Sequence, residues 1–222
     1  GIVKGSGMIA PDMATMLAFV FTDAALPVGV LKKLLSAANA ESFNCVTVDG
    51  DTSTSDTCLL VATGAKRMSG AKIKSVDDKR LASFKKALLG LMQNLAQQVA
   101  RDGEGITKLM TIEVSGAENN AAARQIALAI GNSPLVKTAI AGADANWGRI
   151  VMAVGKSGEK AVRDKLAISI GGVKVARNGK VVPGYKEASV VRHMKGNEIF
   201  IAVNVGMKSG KDAGQARIWA SD

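Results

Sequence analysis

Residues 81–99 carry Leu81, Phe84, Leu88, Leu91, Met92, Leu95 and Val99 three or four positions apart. That spacing predicts a long helix with one apolar face, and such a face must lie against a second layer. Asp77 and Asp78 stand at its N-terminal end, where carboxylates suit the helix dipole, and Asp102-Gly103-Glu104-Gly105 stops it. A second helical pattern, Val30, Leu31, Leu34, Leu35 and Ala38, follows Pro27, which can open a helix at its first turn. Lys32 and Lys33 take its other face.

Short apolar runs separate these helices. Met16–Phe21 reads as a strand buried on both faces, Phe43–Val48 as a second strand, and Cys58–Ala62 as another apolar run closed by Gly64. Residues 65–76 are basic and read as a loop. Beyond 106, Thr107–Val114 alternates as a strand and Ala121–Ile130 reads as a helix ended by Gly131 and Pro134. Leu135–Ala141 reads as a strand, and a turn over 142–148 precedes apolar Ile150–Val154. Leu166–Ile170, Val173–Val175 and Glu198–Val205 read as strands in a glycine-punctuated second half. Helices alternating with strands early and strand clusters late predict a layered α/β or α+β fold.

A chain of 222 residues with 47% hydrophobic content can bury a core, which excludes a disordered protein. No apolar run reaches the roughly 18 residues needed to cross a bilayer, and no secretory pattern opens the chain. The first residue is Gly and the opening already reads as the middle of a fold, so a piece of a longer, processed protein is expected. Net charge is +10, but Lys and Arg are scattered and no basic stripe is interleaved with aromatics. Solvated surfaces are therefore expected, with no nucleic-acid or membrane partner; small anionic substrates would also suit the field. Cys45 and Cys58 lack metal or redox spacing and read as buried free thiols in a reducing compartment.

Four stretches are candidates for chemistry. Gly5-Ser6-Gly7-Met8-Ile9-Ala10-Pro11 runs through Ala14 to Thr15, at the mouth of the first strand. A hydroxyl held by a strand on one side and a glycine loop on the other has the setting of a nucleophile, and equally of a threonine that merely begins a strand. Asp49-Gly50-Asp51-Thr52-Ser53-Thr54-Ser55-Asp56 is dense in hydroxyls and carboxylates. It lacks the ligand order of a calcium loop, and a turn bonding its own backbone is the simpler reading. Glu104 sits between two glycines, open to a ligand or to solvent. The single histidine, His193, has no nucleophile-elbow motif beside it and reads as structural or superficial. Histidine-rich zinc sites are excluded within this chain, and no phosphate-loop or dinucleotide fingerprint follows a strand. A nucleophile here would need a base other than a triad histidine, such as the α-amine of an N-terminal threonine.

Taken together, Lys4–Pro11 with Ala14–Leu17, Thr47–Thr54, Asp102–Gly105 and Asn146-Trp147-Gly148-Arg149-Ile150 resemble one family. It is the bifunctional ornithine acetyltransferase / glutamate N-acetyltransferase family of arginine biosynthesis. The chain is similar to its β chain, residues 15–222, preceded by the C-terminal end of the α chain, residues 1–14. The resemblance implies a layered α/β sandwich like that of N-terminal-nucleophile hydrolases but of different topology, with the β segment acting as a single catalytic unit. It implies self-cleavage between Ala14 and Thr15, with Thr15 as nucleophile and Lys4, Thr15 and Glu104 contacting the amino-acid substrate. The acetyl group of N2-acetylornithine would pass through Thr15 to glutamate, without a metal or cofactor. Some members also take acetyl from acetyl-coenzyme A, which then is a substrate.

By the same resemblance two α and two β chains assemble, in the cytoplasm of bacteria. The family's oxyanion donors, a Thr-Gly pair, belong to the α chain. Its substrate-touching C-terminal tail lies past the point where this sequence ends at Asp222. The chain alone is therefore expected to be inactive without its α segment. Two other functions remain open from the residues: a self-processing hydrolase or aminopeptidase that gives the acyl group to water, and a basic fragment without catalysis.

Overall fold

The structure is a computed structural model and describes residues 1–8, 16–52, 55–66, 69, 70 and 72–222. Its chain divides into two compact units, Gly1–Glu104 and Gly105–Asp222, a boundary that no linker-like stretch announces in the sequence.

The first unit holds a three-stranded sheet in the order β1 (Ile2–Lys4), β2 (Leu17–Ala24), β4 (Thr57–Lys66). Strand β1 pairs antiparallel with β2, and β2 pairs parallel with β4. Parallel neighbours need a crossover, supplied here in part by helix α1 (Val28–Ala40), which Pro27 precedes as expected. Helix α2 (Ala82–Arg101) realises the long periodic pattern and buries Leu88, Met92, Leu95 and Val99. Asp78 caps the 3-10 turn Lys79–Leu81 that leads into it, accepting the Arg80 N–H at 3.0 Å, and the Arg80 guanidinium holds the Asp78 carboxyl down at about 2. Both helices pack on the face of the sheet that carries Ala18 and Val20.

The other face overturns one expectation. Strand β2 is not buried on both sides: Leu17 and Phe19 are half-buried, and Phe21 is 58% exposed. The register places Phe19 beside Ile2 and Leu59, and Phe21 beside Val61, so these side chains form one apolar face. Ile2, Leu59 and Val61 are 63%, 47% and 41% exposed. The run 43–48 is not a regular strand either. A 3-10 turn over Phe43–Cys45, closed by the Cys45 N–H to Ser42 carbonyl bond at 2.8 Å, leaves only Val46–Thr47 extended as β3.

In the second unit the strands run β10 (Gly214–Ser221), β5 (Leu109–Ala117), β9 (Glu198–Asn204), β6 (Ala167–Ile170), β7 (Val173–Arg177), β8 (Lys180–Val181). The central pair β5 and β9 is parallel, and the flanking pairs are antiparallel. Met110, Ile112 and Val114 of β5 and Ile199, Ile201 and Val203 of β9 alternate inward, the period-two pattern seen in the sequence. Helix α3 (Asn120–Gly131) lies on β5 and β10, its start held by the Asn119 side chain accepting the Ala122 N–H at 2.9 Å. Helices α4 (Pro134–Ala141) and α5 (Trp147–Lys156) pack beside it.

Helix α4 corrects the strand reading of Leu135–Ala141. Pro134 is its first helical residue rather than a stop, and the Ser133 hydroxyl accepts the Val136 N–H. Helix α6 (Glu187–Met194) carries His193, whose Nε2 accepts the Phe200 N–H at 3.0 Å. The histidine thus serves the fold. Replacing it with Ala strands a partly buried amide and is expected to cost about 1–3 kcal/mol in denaturant unfolding; an unchanged midpoint would rule out that role. Among the described residues, no helix is long and apolar enough to cross a membrane.

Candidate active site

Strand β2 enters its sheet at Leu17, opposite Lys4 of β1. The antiparallel register therefore sets Lys4, which is exposed, beside the head of β2. The chain then turns at Gly5, whose φ is 94°. The Ser6 hydroxyl donates to the Val99 carbonyl at 2.6 Å, tying the glycine stretch to the last turn of α2. Glu104 follows that helix end in the turn Asp102–Gly105, exposed, with Gly105 at φ 74°. One end of α2 thus holds both the glycine stretch and Glu104. Neither Lys4 nor Glu104 is ion-paired among the described residues.

The acidic loop closes on the same segment. Met8 sits at φ 53°, a left-handed conformation that costs a residue with a Cβ on the order of 1–3 kcal/mol. Its N–H donates to Asp49 Oδ2 at 2.6 Å, a charge-assisted bond able to hold that conformation. Asp49 Oδ1 meanwhile accepts the Asp51 N–H at 3.0 Å, the self-bonding turn expected from sequence. At the other end of the loop, Asp56 Oδ1 accepts the Met16 N–H at 2.7 Å. The Thr57 N–H returns a bond to the Met16 carbonyl at 2.9 Å. Asp56 Oδ2 is shielded from solvent and has no hydrogen-bond partner among the described residues. Burial pushes the Asp56 carboxyl upward from its ordinary value, against the smaller pull of the Met16 amide.

Ala14 and Thr15 themselves lie outside the described residues, as do Ser53 and Thr54. The described residues that flank this stretch in sequence, Met8 and Met16, are both anchored on the acidic loop. Sequence reasoning noticed that loop but gave it no part in a site. Asp49 and Asp56 reach partners 41 and 40 residues away, and no local pattern signals such a pairing.

Other candidates resolve as structure. Arg149 Nη1 donates to the Leu135 carbonyl and to Thr138 Oγ1, each at 2.8 Å, so the Asn146–Ile150 motif fastens α5 to α4. Among the described residues Cys45 and Cys58 form no disulfide; Cys45 is buried, its thiol donating to the Ala40 carbonyl at 3.3 Å, and Cys58 is half-buried. Burial drives the Cys58 thiol up to about 11, which keeps it out of nucleophilic chemistry near neutrality. Among the described residues no three His, Cys, Asp or Glu side chains gather as a metal site.

A sequence profile of the ArgJ family matches residues 1–222. The chain belongs to the ArgJ family. The arginine biosynthesis bifunctional protein ArgJ of Gluconobacter oxydans is 58% identical over 222 residues, covering 100% of this chain and 51% of that protein. Its counterpart in Agrobacterium fabrum is 57% identical over 223 residues, covering 100% and 53%. The chain thus spans about half the length of the curated relatives it matches. The crystal structure of the arginine biosynthesis bifunctional protein ArgJ of Bacillus halodurans is 40% identical, with a TM-score of 0.84 over 94% of each chain. The layered α/β fold expected from the resemblance is the ArgJ fold.

Proposed function

We propose that this chain supplies the nucleophile-bearing half of an acetyltransferase of arginine biosynthesis, moving the acetyl group of N2-acetylornithine to glutamate. The observation that carries the reading is membership of the ArgJ family over all 222 residues, with relatives named as bifunctional enzymes of arginine biosynthesis. In the proposed sequence the Thr15 hydroxyl attacks the Ala14 carbonyl, the peptide bond shifts to an ester, and water opens the ester. Thr15 then carries a free α-amine with a reference pKa near 8, low enough to act as a base near neutrality.

The Thr15 oxygen next attacks the acetyl carbonyl of N2-acetylornithine. The amide C–N bond breaks, ornithine leaves with the proton taken from Thr15, and an acetyl ester remains on the threonine. The glutamate amine then attacks that ester, and the hydroxyl is restored. Acetyl-coenzyme A is proposed as an alternative donor to the same oxygen. Lys4 is the partner for a substrate α-carboxylate and Glu104 for a substrate amine, each as a charge-assisted pair. Their exposure and lack of ion pairs support these assignments. A Glu104→Lys variant is expected to raise the KM for acetylornithine about 10- to 100-fold, the size of a lost hydrogen bond to a charged group. Unchanged ornithine-side kinetics would remove Glu104 from the site.

The partner is an α segment of the same precursor, giving two α and two β chains in the cytoplasm, with oxyanion donors supplied by α. The uncovered apolar face around Phe21 supports such a neighbour. The full-length protein tests the whole scheme by intact mass spectrometry with N2-acetylornithine and no glutamate. A fragment beginning at Thr15 gains one acetyl group and loses it on adding glutamate. A cut chain that never carries acetyl would overturn the scheme.

A further inference from the structure

A cleft of about 590 Å³ opens in the second unit, lined among others by Ser115, Lys165, Asn204, Lys208, Ser209 and Lys211. Its place follows from the topology. Parallel strands β5 and β9 end together there, and their antiparallel neighbours β10 and β6 begin there, as the pairs Gly214↔Ala117 and Ala167↔Asn204 record. The crevice beyond the carboxyl ends of parallel strands is where open α/β sheets take ligands.

The wall is a built loop. Asn204 Oδ1 accepts the Gly206 N–H at 2.9 Å, and Asn204 Nδ2 donates to Ser115 Oγ at 3.2 Å. The Gly116 carbonyl accepts both the Met207 and Lys208 N–H groups, at 2.7 and 3.0 Å. Gly206 combines φ 69° with an approach that leaves no room for a side chain: a Cβ would fall 2.4 Å from Lys165 Cβ. The loop therefore fixes Lys165 and Lys208 on one opening.

The lining residues include three lysines and no carboxylate. Among the described residues none of the three is ion-paired. Nearby acids are engaged elsewhere: Glu113 with Arg217, and Glu118 with Lys160 at 3.2 Å. Asp164 and Asp212, though adjacent in sequence to Lys165 and Lys211, do not line the cleft. Three uncompensated ammonium groups around a concave, hydroxyl-rich wall focus a positive potential on a volume of small-molecule size. Strand β9 leads through Gly206-Met207-Lys208-Ser209 and a single 3-10 turn over Gly210–Asp212 into β10, with no α-helix following, which is why phosphate-loop motifs do not flag it.

We propose that this cleft binds a small phosphate-bearing anion of the diphosphate class, held by Lys165, Lys208 and Lys211 with the Ser115 and Ser209 hydroxyls. The inference stands apart from the acetyl-transfer reading, because its test uses no turnover. Isothermal titration of the full-length protein with inorganic diphosphate and ADP is expected to give saturable binding that weakens steeply between about 50 and 200 mM salt. Lys208→Ala/Lys211→Ala should lose at least tenfold in affinity at an unchanged melting temperature, while Lys208→Arg/Lys211→Arg retains binding. Tighter binding of ADP than of diphosphate would identify a nucleotide-bearing ligand, and equal binding a free diphosphate. No saturable binding of either probe, or undiminished binding by the alanine variant, would overturn the proposal.

Discussion

Thr15→Ala is expected to leave the full-length protein as one uncut chain and to abolish acetyl transfer. Both effects follow from a single atom in the proposed mechanism: the threonine oxygen attacks Ala14 in processing and the acetyl donor in turnover. Neither Cys58 nor His193 is expected to replace it. Cys58 is held as a thiol by burial and His193 is committed to the Phe200 amide. Loss of a nucleophile on which both half-reactions depend lowers turnover by on the order of 10⁴-fold or more. Thr15→Ser retains the hydroxyl and is expected to cut and transfer slowly. Denaturing mass spectrometry reads the cut, and trapping of labelled acetyl reads the intermediate. A Thr15→Ala protein that still cleaves, or still becomes acetylated, would remove Thr15 from the mechanism.

Asp56→Ala produces the next largest effect. Asp56 Oδ1 holds the amide of Met16, the residue immediately after Thr15. Removing that acceptor frees the chain at the point where a nucleophile needs sub-ångström placement, and a displacement of about 1 Å costs roughly 10²-fold in rate. Cleavage and kcat should both fall by about that factor. Asp56→Asn keeps an acceptor oxygen and is expected to stay within tenfold of the parent; an equal loss in the two variants would replace positioning with a role for the charge.

The Asn variant also carries a pH signature. Burial raises the Asp56 carboxyl in the folded state, so this group's contribution to stability is fully present below its unfolded value. It is lost as pH rises through the folded value. Asp56→Asn is therefore expected to be at least as stable as the parent at neutral pH. The advantage should shrink as pH falls through that window in denaturant titrations. An advantage that instead grows toward acid would contradict the raised carboxyl.

The helical half of this fold was readable because its burial is one-sided. Leu88, Met92, Leu95 and Val99 face inward on α2, and the same logic gave α1 and the alternating strands β5 and β9. Reading failed where composition and position disagree. Leu135–Ala141 is rich in Val, Ile and Thr, yet a capping serine and a proline at the first helical position outweigh those propensities. Strand β10 escaped because its burial changes midway, from alternating around Arg217 to continuous over Ile218–Ser221. The site divided in the same way. Every loop was visible as a motif, but the bonds joining Ser6 to Val99, Met8 to Asp49 and Met16 to Asp56 depend on the assembled sheet.

Under the proposed self-cleavage, the half-covered sheet of the first unit has a consequence for the timing of maturation. Parallel strands are seldom left bare on one side, and here Ile2, Phe21, Leu59 and Val61 stay open to solvent. While a covering segment is still joined to them through an uncut peptide, a short tether keeps it at an effective concentration of about millimolar. Cutting removes that tether, and only burial then holds the pieces. A precursor that folds first and cuts second would avoid releasing an adhesive surface, and a cut two residues before β2 in sequence would wait for that strand to be in its sheet.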